Sequence, residues 1–182
     1  FSFRCDGGEI AYNTVTGGKA GLRARCAQNL RFIGNWADGL GFQVYGDGHY
    51  YNGNVVAGSA AILLFAGDRT LEAYLADAAA GSDQYCVTKG VTLIGNRGKV
   101  VVGQDPTWGA NPARITEAVR EVAIHRHETL AGAAVTGMGS VVVGGLRWQA
   151  PTFSSSLPPG EAVAEAVRLE EGQVGHTAPW AG

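Results

Sequence analysis

The chain has 182 residues, 46% hydrophobic, and its 14 Lys+Arg against 16 Asp+Glu give a formal charge of −2. That length can bury one continuous core, and the charge excludes the global basic field that nucleic acid or an anionic membrane would require. Glycine stands out at 28 residues, about 15% of the chain against ~7% in ordinary proteins; with no G-X-Y period this excludes collagen and predicts many turns.

From its start the sequence repeats. Ile10-Ala-Tyr-Asn13 is echoed by Phe32-Ile-Gly-Asn35, Tyr51-Asn-Gly-Asn54 and Leu93-Ile-Gly-Asn96, with asparagine spacings of 22, 19 and 42, the last read as two periods of 21. A second run, Leu22-Arg-Ala-Arg25, Phe42-Gln-Val-Tyr45 and Ile62-Leu-Leu-Phe65, recurs at 20 and 20 residues, each time after a glycine or serine turn. Two short strands, glycine turns and one asparagine per period predict an all-β fold, a parallel β-helix of about 20–22 residues per coil with coils stacked at ~4.8 Å. Stacked asparagines would then satisfy one another as an amide ladder.

Alternation along the second run puts Leu22, Phe42, Ile62 and Ala24, Val44, Leu64 inward. Arg23, Gln43 and Leu63 point outward, as do Arg25, Tyr45 and Phe65. The register extends back to Phe1-Ser-Phe-Arg4, so Arg4, Arg25 and Tyr45 are expected to stack on one outer face. Adjacent arginines repel unless an anion lies between them, and Tyr45 would offer a ring to a sugar. Cys5 and Cys26 are expected to stack inward as buried free thiols, since in-register parallel strands seldom give disulfide geometry. His49 follows a Gly-Asp-Gly turn at a strand exit; His125 and His127 read as surface residues.

Residues 66–90 form an excursion in which 71–80 reads as a short helix or a long loop, and the ladder resumes over 87–102. Asn111-Pro112 is a helix start, with Ile115, Val119, Val122 and Leu130 near one face. Residues 135–148 suit a last coil or hairpin, 151–160 a linker and 161–171 a short amphipathic helix. The expected organisation is therefore coils over 1–105, a helix plus final coil or cap over 106–150, and linker and tail over 151–182. The longest apolar run, 60–66, is far short of the ~20 residues of a membrane span, so no membrane partner is expected.

Several segments, in order and at one-coil spacing, resemble the chondroitinase-B and alginate lyase group of polysaccharide lyases. They are Phe1-Ser-Phe-Arg-Cys5, Glu9-Ile-Ala-Tyr-Asn-Thr-Val15, Gly21-Leu-Arg-Ala-Arg-Cys26, Gly41-Phe-Gln-Val-Tyr-Gly-Asp-Gly-His49 and Gln84-Tyr-Cys-Val87, the last running into Val91-Thr-Leu-Ile-Gly-Asn96. The resemblance covers about half the chain. It implies a right-handed parallel β-helix, a secreted or extracellular protein, and β-elimination on an acidic, uronate-containing polysaccharide such as alginate or chondroitin. Arg4 stands where the family has its lysine base, and Arg25 where an arginine assists the departing oxygen. Arg23, Gln43, Tyr45 and His49 would contact substrate. The family's calcium would be held by acidic residues upstream of Phe1, so the chain is expected to be the C-terminal portion of a longer helix. An open first coil predicts an upstream segment or second chain that caps it. Cys26 and Ala27 replace the His-Gly that follows the family's arginine, which supports a second reading: a non-catalytic β-helix, either glycan-binding or structural, as in a phage spike or surface protein. A C5 epimerase is a third.

Overall fold

The structure is a computed structural model, and it describes residues 1–77, 86–104, 117–128, 135–138 and 152–169. The chain passes through three sheets in turn. Its first pass gives β1 (Ser2–Phe3), β2 (Glu9–Ala11) and β3 (Thr14–Val15). The second gives β4 (Gly21–Gln28), β5 (Arg31–Ile33) and β6 (Trp36–Ala37), and the third β7 (Gly41–Asp47), β8 (Tyr50–Asn52) and β9 (Val55–Val56). After β10 (Ala61–Phe65) the excursion carries α1 (Leu71–Ala76), and β11 (Thr92–Ile94), β12 (Lys99–Gln104), β13 (Ala123–His125), β14 (Val135–Met138) and β15 (Thr152–Ser154) follow. Every named pairing is parallel. The first sheet runs β1-β4-β7-β10-β12-β14, the second β2-β5-β8-β11-β13-β15 and the third β3-β6-β9.

The expected register holds where the alternation is cleanest: Ser2 pairs with Arg23, Phe3 with Ala24, Leu22 with Phe42, and Ile62 with Phe42. The inward columns are fully covered, with Ala24, Phe42, Val44, Ile62 and Leu64 all at 0% exposure. Facing them from the second sheet, Phe32 stacks on Tyr51 with ring centroids 4.6 Å apart, and Phe42 meets both edge-on at 5.8 and 5.7 Å. Such offset and T-shaped contacts suit the aromatic quadrupole.

The asparagine ladder is present. Nδ2 of Asn13 donates to Oδ1 of Asn35 (2.9 Å), Asn35 to Asn54 (3.0 Å) and Asn54 to Asn96 (2.9 Å). Each of these oxygens also accepts the backbone N–H of the preceding asparagine. The second Nδ2 hydrogens of Asn35, Asn54 and Asn96 go to the carbonyls of Ile10, Phe32 and Tyr51. Before each rung the chain turns through a left-handed residue, Tyr12, Gly34, Gly53 or Gly95, with φ of 55–63°. The direct Asn54–Asn96 contact corrects one expectation. Tyr51 pairs with Leu93, so the 42-residue spacing is a single pass lengthened by the excursion, and not two passes.

The other corrections lie where local propensity met tertiary pairing. The excursion does carry a helix, capped by Thr70 Oγ1 on the Ala73 N–H (3.1 Å). The helix expected from Asn111 lies outside the described residues as far as 116. From 117 the chain is extended instead, and Ala123–His125 pairs with β11. Val122 and Ile124 alternate as readily as Val119 and Val122 fit a helical face, and the open edge of β11 decided the outcome. Thr152–Ser154, placed in a linker, pairs with β13. Residues 161–169, expected as an amphipathic helix, run extended across the second sheet because side chains of that sheet take their backbone groups, as described below. Among the described residues no helix is long and apolar enough to cross a membrane.

Candidate functional site

Ser2, Arg23, Gln43, Leu63 and Val101 follow one another across the outer face of the first sheet. Beside the first three is a recess of about 220 Å³, lined also by Lys19 and Leu40. Among the described residues its lining holds two cationic side chains, Lys19 and Arg23. Lys19 comes from the glycine turn that introduces β4, closed by Ala20 N–H to the Gly17 carbonyl (2.9 Å). Gln43 is 4% exposed, and its Oε1 accepts from Arg23 Nε at 2.7 Å. A buried amide thus fixes the plane of a half-buried guanidinium whose column continues to the protein surface. Arginine held in one orientation offers the fork geometry that matches a carboxylate or sulfate.

Arg4 and Arg25 each lie one residue past the Phe3–Ala24 pair; Arg4 is exposed and Arg25 half-buried. Neither lines the recess. The expected continuation to Tyr45 fails because the register slips there: Ala24 pairs with Val44 but Ala27 with Gly46, so Arg25 and Cys26 both stand against Tyr45. This is a β-bulge, with Cys26 at φ 46°. Tyr45 is 2% exposed and stacks on Phe65 at 4.4 Å, so it presents no ring to a sugar. Phe65, also expected outside, is 1% exposed. The returning excursion runs beside both strands, where Thr88 Oγ1 donates to the Val44 carbonyl (2.6 Å) and accepts the Phe65 N–H (3.2 Å).

The bulge also changes the cysteines. Cys26 is bonded to Cys86 at the end of the excursion, and with Leu71 they form a second small core, while Cys5 is exposed. The pair of inward free thiols is therefore replaced by a bridge across 60 residues. Such a bond fits an oxidising compartment.

His49 is not on the surface. It is 1% exposed, with Nδ1 accepting the Leu30 N–H (3.2 Å) and Nε2 against the Tyr45 carbonyl (3.2 Å). Those partners require the neutral tautomer with hydrogen on Nε2, so His49 ties β7 to Leu30, between β4 and β5, and cannot meet substrate. Burial lowers its pKa from 6.5 to about 4, against a smaller opposing effect of the Tyr45 carbonyl. An unfolded chain takes up this proton near pH 6.5 and the folded one only near 4. The stability tied to neutral His49 is complete above 6.5 and is lost as pH falls towards 4, by about 3 kcal/mol at 1.36 kcal/mol per unit. Urea titrations at pH 7 and 4.5 are expected to differ by more for the native chain than for His49→Gln; equal differences would remove His49 as the cause.

Lys19 belonged to no expected site. Its signal was present in the sequence as one of only three lysines, set in the turn that leads into the strand of Arg23. Among the described residues no three His, Cys, Asp or Glu side chains converge as a metal site. The calcium implied by the resemblance therefore has no cage among them. No family model, curated protein or solved structure matches the chain.

Proposed function

We propose that the chain is a right-handed parallel β-helix, akin to the polysaccharide lyases it resembles in sequence, and that it is a secreted protein binding acidic, uronate-containing polysaccharide on the outer face of its first sheet. The observation that carries this reading is the Lys19–Arg23–Gln43 recess, in which two cationic side chains share one lining and a buried amide aims one of them. A carboxylate is attracted to such a lining, and the arginine fork matches its geometry. Replacing Arg23 by alanine is expected to weaken binding by about 10- to 100-fold, the loss of a charge-assisted pair worth ~1.5–3 kcal/mol. Titration of alginate, chondroitin and pectate oligomers into both proteins checks it, and equal affinities would move the site elsewhere.

Cleavage is the second reading, favoured by one observation: Arg4 and Arg25 occupy the positions next to a paired Phe3–Ala24. In that reading Arg4 takes the C5 proton and Arg25 supports the departing O4 as the C4–O4 bond breaks and a C4–C5 double bond forms. Incubation with the three polymers, with and without added calcium, separates the readings through the ultraviolet absorbance of an unsaturated product. Absorbance that disappears in Arg25→Ala would support a lyase; binding without absorbance supports the non-catalytic protein.

A further inference from the structure

The outer face of the second sheet is crossed by residues 161–169, which run along the stack of passes and not along a strand. Val163 lies over Gly95, the Ala164 carbonyl over Gly53 and the Glu165 carbonyl near Gly34, so one residue of the segment meets each successive pass. The face is shaped to receive a backbone. Asn52, 6% exposed, reads both polar groups of the segment: its Nδ2 donates to the Ala162 carbonyl (2.8 Å) and its Oδ1 accepts the Ala164 N–H (2.9 Å). Thr14 repeats the device at the far end, where its hydroxyl accepts the Leu169 N–H (2.9 Å) and faces the Val167 carbonyl (3.4 Å). Tyr50, with Arg31 over its ring at 4.4 Å, donates to the Glu161 carboxylate. Glycine is required at the centre: a Cβ at Gly53 would fall 1.9 Å from the Ala164 oxygen.

These contacts read main chain and small side chains, as peptide grooves do. The fit is also incomplete. A cleft of about 500 Å³ remains along the segment, with Arg97, Arg126 and Glu128 on its far wall. We propose that this face is a peptide-binding groove for an extended, alanine- and valine-rich segment opening on a glutamate, that residues 161–169 are its exchangeable resident, and that the partner it fits is the same segment of a second copy of this chain. The groove lies on a different sheet from the recess assigned to glycan and does not depend on that assignment.

The test uses the full chain carrying Ala164→Pro, which removes the N–H read by Asn52 and leaves the groove side chains in place. A fluorescent peptide with the sequence of residues 157–169 is expected to bind it saturably, at least tenfold more tightly than it binds the native chain, whose tethered segment competes at an effective concentration of order mM. The same peptide with proline at the position of Ala164 is expected not to bind. Equal binding of the two peptides, or no saturable binding to the folded variant, overturns the proposal. Hydrogen exchange on the native chain gives an independent reading. The amides of Ala164 and Leu169 are expected to exchange by local opening, faster than those of β8 and β11, whereas exchange only through global unfolding would show a fixed segment and also overturn it.

Discussion

Replacing Asn54 with alanine is expected to cost on the order of 4 kcal/mol, roughly a 10 °C fall in the melting midpoint for a chain of this size. Asn54 is fully buried. Its Oδ1 accepts both the backbone and side-chain N–H of Asn35, and its Nδ2 donates to the Phe32 carbonyl and to Asn96. Truncation strands two donors and a carbonyl where water cannot reach them, and each stranded group costs ~1–3 kcal/mol. The same change at Asn13, which is exposed and ends the described ladder, is expected to cost less than ~1 kcal/mol. Urea denaturation of the two variants checks the gradient. A similar small loss at both sites would mean that the rungs do not act together.

Cutting the Cys26–Cys86 bond is the second large effect. The bond closes a loop of 60 residues, and the chain-entropy argument assigns about 4 kcal/mol to a closure of that length. Calorimetry of a Cys26→Ser/Cys86→Ser double variant is expected to show a midpoint lower by roughly 10 °C, with reductant producing the same shift in the native chain. Cys5→Ser is expected to be silent, because that thiol is exposed. Reduction that left the midpoint within a degree or two would mean that the excursion is held by its packing, through Leu71 and Thr88, and not by the bond.

Much of the β architecture was legible because two signals were redundant. Glycine turns set the period, and the asparagines, each amide accepting from the one before it, set the register; Ser2–Arg23, Leu22–Phe42 and the amide ladder follow from these. The candidate site was legible to the extent that it depends on strict alternation, which holds for Arg23 and Gln43. It was lost from Arg25 onward because a bulge is a backbone event with no residue signature here: Cys26 takes a left-handed conformation without being glycine. With alternation broken, Tyr45, His49 and Phe65 went to the interior and Cys26 to Cys86. The 42-residue spacing misled for a related reason, since an insertion of about one period is indistinguishable from a further pass until the pairing of Tyr51 with Leu93 is seen. Residues 161–169 have helical composition, yet their structure is set by Asn52 and Thr14, more than a hundred positions earlier.

The corrections concentrate the glycan proposal. Tyr45 and His49 leave the surface, and what remains on the first sheet is a cationic recess aimed by one buried glutamine, with the arginines of the cleavage reading placed just beyond it. The whole chain carries a formal charge of −2, so in the glycan proposal attraction for a polyanion is local and is screened by salt over a Debye length of ~8–10 Å. The most direct measurement is calorimetric titration of uronate oligomers into the native chain and into Lys19→Ala/Arg23→Ala, at 50 and 200 mM salt. The account predicts binding to the native chain that weakens as salt rises and is lost in the double variant with its fold intact; no binding to any of the three polymers, or affinity unchanged by removing both cations, would contradict it.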